Sequence, residues 1–143
     1  MAARPNITVS TLTPPALSVL TKTCQVVRTD TTAFEAFSLP SGAVIAGAYV
    51  MGLVASDAQT TAVIAVGTNP GTTDDIITAF DVKGASGQGY AAVGAKGGTA
   101  MGTQITSDKL YKARYAETGT ASTTGGPWLV KVEYYIPQQG NSY

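Results

Sequence analysis

From residue 128 onward the chain alternates strictly. Trp128, Val130, Val132, Tyr134 and Ile136 occupy one parity, and Leu129, Lys131, Glu133 and Tyr135 the other. A helix repeats every 3.6 residues and cannot sort side chains this way, whereas a strand puts neighbours on opposite faces. The pattern therefore predicts a strand over 127–136 whose aromatic and β-branched parity faces a core. A second alternation precedes it, with Lys109, Tyr111, Ala113 and Tyr115 set against Leu110, Lys112 and Arg114. The polar stretch Glu117–Gly126 joins the two, and together they read as a closing hairpin.

The same reading extends upstream, with strands bounded by glycine, proline and Thr/Asp turns. It places them at Lys22–Thr29, Thr32–Leu39, Ala43–Ala55, Thr61–Thr68 and Ile76–Val82. In Ala43–Ala55 the larger residues Ile45, Tyr49, Met51 and Leu53 are expected mostly on one side. A helix competes there, but Gly47 and Gly52 would each cost it about 1 kcal/mol relative to alanine. Residues 84–104 hold seven glycines and read as a loop with one short strand near Tyr90–Val93. The count comes to about eight strands and no convincing helix. The expectation is an all-β, single-domain jelly-roll β-sandwich of antiparallel strands. Residues 21–137 form that domain, 1–20 an extended N-terminal arm, and 138–143 a short polar tail. In the arm, Pro5, Pro14 and Pro15 remove amide donors and fix φ. Ile7, Val9, Leu12 and Leu17 make it apolar enough to lie against a protein surface.

Composition then narrows what such a domain can do. Charged residues are 13% of the chain, about half the usual share, and the mean hydropathy is +0.12. There is no histidine and one cysteine, so serine-hydrolase chemistry lacks its usual base and a zinc site lacks its usual ligands. A pair of carboxylates could still serve a glycosidase, but no spacing among the nine acids singles one out. Nine basic residues balance nine acidic ones, which argues against phosphate neutralisation, and hence nucleic acid binding, as the main role. The uncharged run Ala43–Ala55 has thirteen residues, short of the 20 or so a membrane helix needs. The first residues lack the apolar core of a secretory signal. The expectation is a non-enzymatic protein made in a cytoplasm, with no cofactor and no metal, and a weakly polar surface that another protein covers in part.

Several residue groups could still carry chemistry. Asp74-Asp75 follow Asn69-Pro70-Gly71-Thr72-Thr73 and could offer oxygens to calcium, but spaced D-x-D-x-D ligands are absent and a self-bonded turn is the better reading. The glycine-rich stretch has no phosphate-loop pattern. Trp128 with Tyr111, Tyr115, Tyr134 and Tyr135 could stack on sugars, yet the alternation turns Trp128 and Tyr134 inward and favours core and interface roles. Lys109, Lys112, Arg114 and Lys131 hold four of the nine positive charges. They suit either a solvated strand face or a basic docking patch. Cys24 reads as a small, buried hydrophobe on a strand.

Certain segments resemble a known group. Leu39-Pro40-Ser41-Gly42-Ala43-Val44-Ile45 precedes Ala65-Val66-Gly67-Thr68, the Asn69-Pro70-Gly71 turn and Asp74-Asp75. Thr124-Gly125-Gly126 then leads to Leu129-Val130-Lys131-Val132-Glu133-Tyr134. Over residues 22–136 the chain resembles the decoration, or cement, proteins and head-fibre bases of tailed bacteriophages, which are often jelly rolls. The resemblance is compositional and transfers no binding residue. It implies a virion protein on the outer capsid surface that clamps neighbouring major capsid subunits and forms homo-oligomers, dimers or trimers. Candidate contacts are Ile7, Val9, Leu12, Pro14, Pro15 and Leu17 in the arm, with Lys109, Lys112, Arg114 and Tyr135 in the last two strands. The rival expectation is a glycan-binding β-sandwich module of a phage fibre, with Tyr111 and Tyr115 as its exposed platform.

Overall fold

A computed structural model describes residues 18–83 and 98–137. Seven strands run through them and no helix: β1 (Leu20–Val26), β2 (Phe34–Leu39), β3 (Val44–Gly52), β4 (Thr61–Gly67), β5 (Ile77–Asp81), β6 (Lys109–Thr118) and β7 (Trp128–Tyr135). They form a three-stranded sheet in the order β1-β7-β3 and a four-stranded sheet in the order β2-β6-β4-β5, with every pairing antiparallel. The inner faces of both sheets share one core, which holds Val26, Ile45, Val50, Ile64, Val66, Tyr111, Tyr115, Trp128, Val130 and Val132. The all-β sandwich inferred from alternation is what the chain forms.

The pairings are nested. The first strand pairs with the last, the second with the one before it, and β4 with β5. β3 completes the nest at its free side. Val44 bridges Gln104 and Ile45 bridges Met101, while Gly42 N donates to Ile105 O (2.7 Å) and Ile105 N to Ala43 O (2.8 Å). A long hairpin rolled up on itself has this order, which is the jelly-roll arrangement. The eighth position is held by an irregular segment around 101–105 rather than a regular strand. The short strand expected at Tyr90–Val93 and the arm residues 1–17 lie outside the described residues, as does the tail 138–143.

Two expectations need correction. β6 and β7 are not a hairpin: β6 pairs with β2 and β4, and β7 with β1 and β3. The connection between them crosses from one sheet to the other, through Gly119, Gly125 and Gly126 with φ of +85°, +128° and +69°. Only glycine adopts such angles without steric cost. Nor does the parity of Ala43–Ala55 hold throughout. A bulge between Ile45 and Gly47 inserts an extra residue and reverses the facing of everything after it. Ile45 is buried, as are Ala48 and Val50, while Tyr49, Met51 and Leu53 turn outward. In contrast, β4, β6 and β7 follow their alternation faithfully: Ala62, Ile64, Val66, Tyr111, Ala113, Tyr115, Trp128, Val130 and Val132 are all wholly buried.

Candidate interaction surface

The bulge in β3 creates the most distinctive surface of the molecule. On the outer face of the three-stranded sheet, register places Gln25, Leu129 and Met51 side by side across β1, β7 and β3. Leu53 and Val54 follow as the chain leaves β3. Leu53 is 72% exposed, Val54 47% and Leu129 41%. With Gln25, Met51 and Pro127 they line an open groove of about 490 Å³ whose floor is Gly52, Gly126 and Trp128. Among the described residues, no charged side chain lines it. Grouped exposed apolar residues on a small domain mark an interaction site rather than chance exposure.

The rest of that face is polar. One register step along, Thr23, Lys131 and Tyr49 are neighbours, followed by Thr21, Glu133 and Gly47. Lys131 Nζ pairs with Glu133 Oε1 at 2.9 Å and sits 5.5 Å from the centre of the Tyr49 ring. Tyr49 Oη donates to Glu133 Oε2 at 3.4 Å. The carboxylate beside Lys131 raises its pKa. These charges satisfy one another, so they bound the groove rather than extend it.

Trp128 fixes the floor from beneath. Its indole stacks on Tyr115 of the opposite sheet, ring centres 5.4 Å apart and planes 10° from parallel. A Cβ on Gly52 would overlap Trp128 Cδ1, so glycine there lets the indole lie directly against β3. Tyr115 Oη reaches Glu117 Oε2 (2.6 Å), Ser56 Oγ (2.7 Å) and Ser122 Oγ (3.3 Å). This ties the loop after β3 to the loop after β6. Hydrogen bonds from Tyr115 and Ser122 hold the Glu117 carboxyl below its usual pKa, and burial pushes the Tyr115 phenol up.

The contact residues expected in the last two strands are not one patch. Lys112 and Arg114 lie on the outer face of the four-stranded sheet, opposite Gly67 and Ala65 of β4. Lys112 also faces Glu35 of β2. Lys131 and Tyr135 belong to the outer face of the other sheet, where Tyr135 pairs with Val44. Lys109 is exposed at the start of β6. The positive charges are divided because β6 and β7 separate into different sheets. Arg114 is half-buried and reaches the 69–73 turn, where a Cβ on Gly71 would come within 2.7 Å of its Nη1. The arm candidates Ile7, Val9, Leu12, Pro14, Pro15 and Leu17 lie outside the described residues.

Two other candidate groups are structural. Asp74 Oδ1 accepts from Gly71 N (2.6 Å), and Asp75 accepts from Thr68 N (2.8 Å) and Thr68 Oγ1 (3.3 Å). These are turn-closing bonds. Among the described residues, no three His, Cys, Asp or Glu side chains are grouped to hold a metal ion. Tyr111 and Tyr115 are wholly buried, which removes the exposed platform the glycan-binding reading requires. Burial and then the Asp75 carboxylate push the Tyr111 phenol up to about 12.

Strict alternation grouped Ile45 with Tyr49, Met51 and Leu53, whereas the bulge leaves Ile45 in the core and the other three outside, and so the groove was not singled out. The available signal was the small-residue run Ala46-Gly47-Ala48, where a strand bulges at little steric cost.

No protein-family model matches the chain, and no curated protein matches it in sequence. Solved structures do. The fold is similar to that of a chain in the capsid asymmetric unit of cyanophage Pam1, with a TM-score of 0.53, 19% identity and 84% of each chain covered. It is also similar to a chain in the acidic stable capsid structure of Helicobacter pylori bacteriophage KHP30, with a TM-score of 0.55, 18% identity, and 84% of this chain and 89% of that one covered. At these identities the likeness is one of fold, and it extends over more than four fifths of each chain.

Proposed function

We propose that this chain is a structural protein of a bacteriophage head, one that binds the outside of the assembled shell and cements neighbouring major capsid subunits. The observation that carries the reading is the fold likeness, over 84% of this chain, to two chains solved within phage capsids. Fold likeness alone is an analogy, but the surface agrees with it. An uncharged apolar groove next to a self-satisfied polar face suits a lasting protein contact better than turnover of a small substrate. The balance of nine basic and nine acidic residues fits a protein partner rather than packaged nucleic acid.

A protein that binds only the assembled lattice stabilises it by mass action. Many copies on one closed shell make individually modest contacts count together. The partners of this reading are the major capsid protein and further copies of the chain, with the homo-oligomer a dimer or trimer at the outer surface. The test is to add purified protein to heads that lack it. Density on the outer surface and a higher rupture temperature are expected. Bare heads with unchanged rupture would overturn the reading. A chain lacking residues 1–20 measures the share of the arm, and unchanged occupancy would remove the arm from the contact.

A further inference from the structure

We propose that the apolar groove of the three-stranded sheet receives residues 7–12 of a second copy of this chain, so that copies associate by exchanging N-terminal arms. The inference rests on the structural role proposed above, which calls for self-association, and it names what the groove holds.

Chemistry matches on the two sides. Among the described residues, the groove is lined by Leu53, Val54, Leu129 and Met51 with no charged side chain, and the nearby Lys131 is already paired with Glu133, so an ionised group buried in it would be left desolvated and unpaired. The chain supplies a suitable segment itself. Ile7, Val9 and Leu12 lie in a stretch where Arg4 is the only charge before Lys22. Ile7-Thr8-Val9 is β-branched throughout, which favours an extended backbone. The groove adjoins a place for such a backbone: among the described residues β1 is the edge of its sheet, and an edge strand offers a row of donors and acceptors to an incoming strand. Gln25 belongs to both that edge and the groove lining.

Geometry favours exchange over self-docking. The arm joins the domain at Leu20, which pairs with Tyr134, whereas the groove lies at the other end of β1, where Gln25 pairs with Leu129. Five strand residues separate those ends by roughly 17 Å. To fill its own groove the arm would have to reverse just before β1. The sequence there includes Pro14-Pro15, and a proline pair favours extended polyproline geometry over a type I turn. A neighbouring copy can receive residues 7–12 without that reversal. Repeated head-to-tail, such a contact closes into a ring where the rotation between copies allows it.

The test uses the full-length chain, with association read by sedimentation and folding by circular dichroism. Wild type is expected to be a discrete oligomer. Leu53→Asp, Leu129→Asp and the double change Ile7→Asp with Val9→Asp should each weaken association by at least about tenfold, equivalent to about 1.4 kcal/mol. Leu110→Asp, on the other sheet, should leave it unchanged. A monomeric wild type overturns the proposal, and a monomer whose own arm cross-links to its groove identifies self-docking as the reason. An oligomer that survives Leu53→Asp and Leu129→Asp overturns it too. If those two changes abolish head binding while the oligomer persists, the groove belongs to the capsid protein and only the head role stands. If the oligomer responds as expected but heads are never bound, arm exchange stands and the head role falls.

Discussion

Tyr115 and Trp128 stack in parallel across the core, 5.4 Å apart, although they belong to different sheets. The pair joins the four-stranded sheet to the three-stranded one, and the Tyr115 hydroxyl anchors the two loops beside it through Ser56 and Ser122. Trp128→Ala should lower unfolding free energy by about 3–5 kcal/mol through lost contact and a residual cavity. Tyr115→Phe keeps the stack and removes only the hydroxyl, leaving buried Ser56 and Ser122 without that partner, for a loss of about 1–3 kcal/mol. Urea unfolding of both variants checks this. Equal losses would show that the ring and the hydroxyl do not contribute separately.

Acid should loosen the loop that carries the chain from β6 to β7. Asp57 accepts from Thr123 N (2.8 Å), Thr123 Oγ1 (2.7 Å) and Thr124 N (2.8 Å). These bonds, that from Thr124 N first, hold its carboxyl down at about 2, against the usual 3.8. A folded-state pKa below the unfolded one means the stabilisation is full above the unfolded value and fades as pH falls through the folded one. Thermal unfolding should therefore show a component lost between about pH 4 and about pH 2. Asp57→Asn should remove that component, and an unaltered acid profile would contradict the assignment.

Cys24 should react poorly with thiol reagents while the protein is folded. It packs against the core from β1, and burial, with Asp30 adding to it, pushes its thiol up to about 11. The thiolate is the reactive form. At pH 8 its alkylation should run at least about tenfold slower than that of a free thiol, and should reach the free rate in denaturant. Fast alkylation of the folded protein would mean that β1 detaches from its sheet.

Gly52→Ala should destabilise the domain by about 1–3 kcal/mol, because its methyl group would overlap the Trp128 ring and force the core to shift. Leu53→Asp, one residue along but exposed, should change stability by less than about 0.5 kcal/mol. The contrast is read from paired denaturation curves. A large loss in Leu53→Asp would show that the groove wall supports the fold.

Which side chains are buried was largely readable. In β6 and β7, the alternation around Tyr111, Tyr115, Trp128, Val130 and Val132 put the correct residues inside. The reason is local: a strand with one face on the core needs an apolar residue at every second position, whichever strand lies beside it. The residues expected at the surface were less secure. Lys112, Arg114 and Lys131 are close in sequence, yet they occupy opposite faces of the sandwich.

Period-two patterning across this chain determined an all-β sandwich and most of its core, and the shortage of charge and absence of histidine turned the reading away from catalysis. Strand partners, the reversal in β3 and the groove were decided only in three dimensions. Strand pairing depends on how two whole sheets bury each other, and the 119–127 segment can join neighbours in one sheet or cross between two without altering the alternation on either side. The bulge at Ile45–Gly47 is one extra residue among small ones, nearly silent as a pattern. Its consequence, Leu53 in solvent while Ile45 lies in the core, appears only when β3 is laid against β7.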